Sequence, residues 1–393
     1  MTQNASYQII FLGQNGADSA VLQNLINERL SDLGLGNETI RFLRESHHDR
    51  RDPRLPTIAV FFGYKGATDS DHPAISSLLQ DSLIIITVVS DLTQVSSEIP
   101  SSLRHINAVE VPPHSQSFDR LASLALESFR LLRKERRLFI SYKRDDSQSL
   151  ANQLYNALDA RGFDVFIDTR SVPPAVDFQS ELWHRLSDSD VVVLIDTPDF
   201  RKSRWTTEEL AQANATNIQI LHLLWPGQPE DGESSFSHFH MLVPEDFANW
   251  SAPPKSRELK PSVADVICGF AEKLRARAIA ARHRYIVDSF CDAAREHGLS
   301  PNVQPQRWIS VELSSGKELA VVPTIGVPTS DRINYVFDAI SGNGGGTAGT
   351  WVLYDSRGML ASWSKHLEWL DGYLPARSIK MVSAYDALAK EAK

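Results

Sequence analysis

The sequence predicts an α/β fold in several domains. Three observations point to it. Short runs rich in β-branched residues are bounded by Gly, Pro, Asp or Ser, as buried parallel strands are. Between them lie stretches whose apolar residues recur at helical spacing. The chain has 393 residues, which at about 150 residues per domain corresponds to roughly two to three domains. An apolar fraction of 42% with 23% charged residues is ordinary for globular chains and excludes disordered or collagen-like classes.

The first block, residues 1–134, opens on a strand-like run from Tyr7 to Leu12, closed by Gly13. Ser19 to Leu33 then places Val21, Leu22, Leu25, Ile26 and Leu30 on one side of a helix. Two further runs, Ile58 to Phe62 and Leu83 to Val89, read as buried strands. The charged stretch RESHHDRRDPR (44–54) reads as a loop, and Asp119 to Arg133 as an amphipathic helix. This alternation predicts an α/β layer fold.

The second block, residues 135–250, starts at once with LFISY (138–142). A helix from Ser147 to Leu158, the strand FDVFID (163–168) and a helix from Phe178 to Leu186 follow. Then come VVVLID (191–196), a helix through Trp205 to Asn214, and IQILHLLW (218–225). Four strands alternating with helices predict a compact doubly wound sheet, an architecture that the first block can share.

From Pro226 to Pro261 the chain is rich in Pro, Gly, Ser and acidic residues and reads as an irregular connection. A long helical pattern runs from Ser262 to Gly298. The final block, within residues 251–393, is mixed: RWISVEL (307–313), ELAVVPTI (318–325), a helix near Asp331 to Ile340, WVLYD (351–355), a helix around Trp363 to Leu370, and IKMVSA (379–384). It predicts a third, smaller α/β unit.

Composition narrows the function classes. The 40 Lys and Arg against 49 Asp and Glu give −9, spread along the chain, which argues against a general nucleic-acid binder. Cys268 and Cys291 cannot build a disulfide framework and fit a reducing cytoplasm. The N-terminus lacks the basic start and apolar stretch of a signal peptide. The run Leu83 to Val89 is far short of the ~20 residues that span a bilayer. A cytoplasmic protein without a membrane partner is expected.

LFISYKRDDS (138–147), GFDVFIDTRSVPPAVDF (162–178) and SRWTTEEL (203–210) resemble, in order, spacing and placement, the three signature segments of a bacterial-type TIR (Toll/interleukin receptor) domain. The resemblance covers about Arg136 to Trp250 and none of the flanks. It implies a flavodoxin-like TIR domain with a parallel sheet in the middle of the chain. That domain is flanked by an N-terminal α/β domain and a C-terminal mixed α/β domain. In enzymatic members it implies cleavage of the nicotinamide–ribose bond of NAD⁺, with NAD⁺ as substrate and neither cofactor nor metal.

In those members the catalytic residue is a Glu four positions after a Trp, here Glu209 after Trp205. On a helix that spacing places indole and carboxylate on one face. Departure of nicotinamide leaves an electron-poor ribosyl centre, akin to the transition state of glycoside hydrolysis. A fixed carboxylate stabilises the developing positive charge, and the ring can stack on a base. Glu208, about 100° around the same helix, is the bland neighbour, and most helix carboxylates are simply solvated.

By the same resemblance Tyr142, Lys143 and Arg144 line the nucleotide pocket, with Asp168, Ser171, Phe178 and Trp205 as further binding residues. Two cations there can meet a pyrophosphate. The loop from Asp168 to Phe178 is the family's BB loop, which gates the site and contacts a neighbouring TIR. This chain has Pro174-Ala175 where relatives commonly carry Pro-Gly. Ala tolerates positive φ poorly, so a different loop path is expected.

The resemblance further implies homo-oligomeric TIR–TIR assembly, with flanks that sense a trigger or recruit a partner, in the manner of antiphage NAD⁺ depletion or cyclic ADP-ribose signalling. A non-catalytic adaptor, and a nucleotide sensor with the TIR as effector, are the alternatives. Other motifs predict less. GNGGGTAGT (342–350) precedes a strand and lacks the Lys-Ser/Thr ending of a phosphate loop. His47-His48 and His238-Phe239-His240 lack partners at metal spacing and are expected at the surface. Arg275, Arg277, Arg282 and Arg284 are expected on a solvated helix surface, and Trp363 and Trp369 in a core.

Overall fold

The computed structural model describes residues 5–14, 16–111, 118–167, 184–198, 200, 216–230, 237–304, 306–341 and 347–391. They divide into two compact units, Met1–Lys134 with Pro261–Arg277, and Glu135–Lys260 with Ala278–Lys393. The expected long helix runs Pro261–Glu296 and contributes residues to both.

The first unit holds a five-stranded sheet of β1 (Tyr7–Gly13), β2 (Ile40–Arg44), β3 (Thr57–Phe62), β4 (Ile84–Val89) and β5 (Val109–Glu110). Its order is β2-β1-β3-β4-β5 with every pairing parallel, the order of flavodoxin-like sheets. Helices α1 (Gly16–Asp32), α2 (Ala74–Gln80) and α3 (Phe118–Ser128) belong to the same unit. Residues Ile9 to Leu12 and Ile58 to Phe62 are buried throughout, because strands covered on both faces are apolar at successive positions. At the end of β1, Gly13 has φ +75°, and a Cβ there would lie 2.3 Å from the Phe62 carbonyl oxygen. Only glycine fits where β1 and β3 part.

Two polar networks tie the loops to this sheet. Gln8, fully buried within β1, donates from Nε2 to the Asp52 carbonyl (2.8 Å) and Thr57 Oγ1 (3.0 Å) and accepts from the Asp52 amide (2.9 Å). Glu45, directly after β2, accepts from the Gly13 amide at 3.2 Å and faces His72 Nδ1 at 2.9 Å. His72 Nε2 meets the Tyr64 hydroxyl at 3.0 Å. Burial, Asp71 and Glu45 all raise the Tyr64 pKa, so the phenol stays protonated. Replacing His72 by Ala removes the bridge between Glu45 and Tyr64 and is expected to cost about 1–3 kcal/mol, measured by urea unfolding.

The arginine-rich part of the long helix departs from expectation. Arg275 is fully buried: it donates from Nη1 to Glu127 at 2.7 Å and from Nη2 to the Arg133 carbonyl. Nearby, Ser123 donates to buried Glu272 at 2.7 Å, and buried Arg29 pairs with Asp119. Arg277 and Arg284 are exposed, as expected.

The second unit holds two sheets. The first consists of β6 (Arg137–Ser141), β7 (Asp164–Ile167), β8 (Val191–Asp196), β9 (Gln219–Leu224) and β10 (His238–Met241), in the order β7-β6-β8-β9-β10 and parallel throughout. Numbered within the sheet, this is again 2-1-3-4-5. Strand β10 falls inside the stretch that reads as irregular from sequence. His238 and His240 lie on it, half-buried, and burial holds the His240 imidazole below its usual pKa. Helix α4 (Arg144–Asp159) follows β6. Beyond β10 the chain returns to α4, where Gln153 exchanges hydrogen bonds of 2.8 Å with the Leu259 backbone. Trp225, Phe247 and Trp250 cluster there, with the Arg257 guanidinium 3.8 Å from the Trp250 ring centroid.

The second sheet runs β11 (Pro301–Val303), β12 (Ile309–Glu312), β13 (Glu318–Thr324), β14 (Thr347–Tyr354) and β15 (Ala376–Lys380) in chain order. Its first two pairings are antiparallel and its last two parallel, the mixed unit that the sequence predicts. Residues 342–346 of the glycine-rich stretch lie outside the described residues.

Several parts of this block converge on residues 184–189. Arg282, buried on the long helix, donates to the Ser187 (2.7 Å) and Ser189 (3.0 Å) carbonyls. The Val327 amide donates to Asp188 at 3.2 Å, the Leu360 amide to His184 Nδ1 at 3.4 Å, and the Trp363 ring stacks on His184 at 5.9 Å. Arg282 is thus a buried cap for carbonyls that end a helical turn, not part of a solvated surface. Trp369 also differs from the core position expected of it: it is 58% exposed, on the outer face of Ala361–Leu370. No described helix is long and apolar enough to cross a membrane.

Candidate functional site

In doubly wound sheets, ligands sit beyond the carboxyl ends of the strands where the strand order reverses. In the β6–β10 sheet that position lies between β6 and β8. Ser141 ends β6, and Tyr142 follows it, buried. Lys143 and Arg144 come next, the first half-buried and the second exposed at the start of α4.

The entry into α4 is shaped by its own backbone. The amides of Asp146 and Ser147 both donate to the Lys143 carbonyl at 3.1 Å. Ser147, fully buried, has non-helical torsions (φ −149°, ψ 29°), so residues 144–146 form a turn set off from the body of the helix. Across the reversal point, β8 ends at Asp196. The next residue, buried Thr197, donates from Oγ1 to Asp146 Oδ2 at 2.8 Å. The same carboxylate oxygen lies 3.6 Å from Lys143 Nζ. Beneath, Asp196 Oδ2 is 3.5 Å from His222 Nε2, both residues being buried, and the His222 ring stacks on Phe239 at 5.2 Å.

Of the residues expected here, Tyr142, Lys143 and Arg144 therefore meet at one mouth of the sheet. Asp168, Ser171, Phe178, Trp205 and Glu209, together with Pro174-Ala175, lie outside the described residues. Asp146, Thr197, Asp196 and His222 do not stand out in the sequence reading. Asp196 and Thr197 follow the apolar run VVVLI, where a polar pair at a strand end was the available signal. Among the described residues no group of three or more His, Cys, Asp or Glu side chains is placed to hold a metal ion.

Residues 138–255 match the family model of the TIR domain. This segment is a TIR domain. It includes β6 through β10, so the 2-1-3-4-5 sheet and the mouth beside Lys143 belong to it. The chain is 26% identical over 117 residues to the 2' cyclic ADP-D-ribose synthase BtTIR of Bacteroides thetaiotaomicron, a match covering 30% of this chain and 40% of that protein. It is 24% identical over 252 residues to the NAD(+) hydrolase sarm1 of Drosophila melanogaster, covering 58% of this chain and 18% of that protein. The chain thus spans less than half the length of either relative. The TIR-domain protein has NAD-cleaving relatives.

Proposed function

We propose that the TIR domain cleaves the nicotinamide–ribose bond of NAD⁺, yielding nicotinamide with ADP-ribose or a cyclic ADP-ribose. The observation that carries this reading is the TIR-domain match over residues 138–255, beside the similarity over 117 residues to a 2' cyclic ADP-D-ribose synthase. Tyr142, Lys143 and Arg144 at the carboxyl end of the sheet support it, since cations there suit a pyrophosphate. Glu209, four residues after Trp205, is the proposed catalytic carboxylate, stabilising positive charge on the ribosyl centre as nicotinamide leaves. Asp168, Ser171, Phe178 and Trp205 are proposed to complete the nucleotide pocket. Self-assembly through TIR contacts, activation by a trigger acting on the flanking blocks, and a cytoplasmic role in antiphage defence belong to the same proposal.

The test is chromatography of the full-length protein incubated with NAD⁺, dilute and concentrated with a crowding agent, beside Glu209→Gln. Free nicotinamide is expected from the wild type, with a loss of about 10²-fold or more in the variant. The co-product separates hydrolase from cyclase. Absence of nicotinamide under both conditions would favour a non-catalytic adaptor that uses the TIR surface for contact alone.

A further inference from the structure

We propose that the first unit carries a binding site for a free α-amino acid with an apolar side chain. It lies in a cavity at the amino-terminal ends of β3 and β4, and it is independent of the NAD⁺ reading.

The cavity measures about 480 Å³, within the roughly 300–1,000 Å³ of small-ligand sites. Every residue that lines it belongs to the first unit. Ile58 at the start of β3 and Phe129 just after α3 are buried and supply an apolar wall. Ile84, paired with Ile58 at the start of β4, lines the cavity while 53% exposed. Arg51 and Asp81 line it too, joined by an ion pair from Nη2 to Oδ2. Their side chains are 19% and 44% exposed, so both charges are open to a solute.

The residues that follow α2 carry costs that the fold itself does not require. Asp81 caps the carboxyl end of that helix, where the dipole favours a cation. Ser82, also on the cavity, has φ +56°, in the left-handed region that glycine occupies freely and other residues do not. Ile84 leaves more than half of its surface in water. Three unfavourable choices within four residues, all on one cavity, point to a ligand, since local rules are broken chiefly where function asks for it.

An α-amino acid matches this pair of charges. Its carboxylate accepts from Arg51 and its ammonium donates to Asp81, so each side chain exchanges one opposite charge for another. Its apolar side chain covers Ile84 and reaches Ile58 and Phe129, out of water. A molecule with a single charge leaves Arg51 or Asp81 without a partner and meets repulsion from the like charge. Glycine, a zwitterion without a side chain, leaves the apolar wall wet.

The experiment is titration calorimetry of the full-length protein with L-phenylalanine and L-leucine, beside glycine, 3-phenylpropionate and phenethylamine. The two apolar amino acids are expected to bind with a Kd of about 0.1–1 mM. The other three are expected to bind at least about 10-fold more weakly. Asp81→Asn should weaken L-phenylalanine about 10-fold and tighten 3-phenylpropionate about 3–10-fold at low ionic strength. Arg51→Gln should weaken L-phenylalanine by as much and instead tighten phenethylamine, an ammonium ion. No saturable heat from either apolar amino acid up to about 20 mM overturns the proposal. It is equally overturned if 3-phenylpropionate or phenethylamine matches L-phenylalanine, since the pair is then not read as a unit. An affinity for L-phenylalanine unchanged in both variants puts binding elsewhere and overturns it as well. The ligand series on the wild type decides the matter should a variant fail to fold. None of these readouts depends on nicotinamide release, so the NAD⁺ reading stands or falls separately.

Discussion

Replacing Arg275 by Ala is expected to destabilise the first unit by about 3–5 kcal/mol, the range for breaking one half of a buried ion pair. The guanidinium is fully buried, and Glu127 beside it is only 9% exposed at its side chain. Truncation takes a buried cation away from that carboxylate, and it also removes a donor from the Arg133 carbonyl. Against a domain stability of about 5–15 kcal/mol the loss is large. The double change Glu127→Leu with Arg275→Met removes both charges and should recover most of it, since an apolar pair of similar volume avoids desolvating either ion. The readout can be separated by unit. All eight tryptophans fall within Glu135–Lys260 or Ala278–Lys393, so their fluorescence follows the second unit, whereas far-ultraviolet circular dichroism follows both. The Ala variant is expected to shift an early transition seen by dichroism and to leave the tryptophan transition in place. A single unchanged transition by both probes would show that the pair contributes nothing.

Acid should destabilise the second unit through His283. Burial first, and the nearby Arg307 charge second, lower its pKa from 6.5 to about 3, against a backbone hydrogen bond at Arg307 that favours the charged form. Among the described residues its Nε2 is buried without a hydrogen-bond partner, so a proton added there meets no acceptor among them. The folded unit therefore keeps the imidazole neutral, whereas the unfolded chain takes up a proton as pH falls below 6.5. Stability from this residue is complete above pH 6.5 and declines toward pH 3, at about 1.4 kcal/mol per pH unit. Between pH 6.5 and 5, before most carboxylates titrate, the loss should reach about 2 kcal/mol. Urea unfolding followed by tryptophan fluorescence at several pH values would measure it. His283→Gln should flatten the slope in that window, and an equal slope in wild type and variant would assign the acid sensitivity elsewhere.

The central strands were legible because burial on both faces leaves a continuous apolar run, as in Ile58 to Phe62 and Val191 to Ile195. Several edge strands carry no such mark. Ile40–Arg44 alternates buried and exposed positions among two arginines, β5 is two residues long, and β10 sits in a polar connection. Periodicity could not place Arg275 and Arg282, since the carbonyls and carboxylate that accept from them come from residues 93–148 positions away in the chain. Trp369 failed in the other direction: its spacing suits a core, but the face it occupies is left open. At the TIR mouth, Tyr142 to Arg144 were recognisable from a motif. Asp146 with Thr197 was not, because its partner approaches across 51 residues.

The hold on residues 184–189 bears on how far this TIR domain is a portable module. A cut after Lys260 would keep every strand of its sheet but strip the Arg282 guanidinium from the Ser187 and Ser189 carbonyls, the Val327 amide from Asp188, and the Leu360 amide and Trp363 ring from His184. The boundary drawn by sequence family and the boundary drawn by hydrogen bonding are therefore different lines. Grafts and chimaeras built on this domain should carry Ala278–Lys393 with it, as one inherited part rather than two.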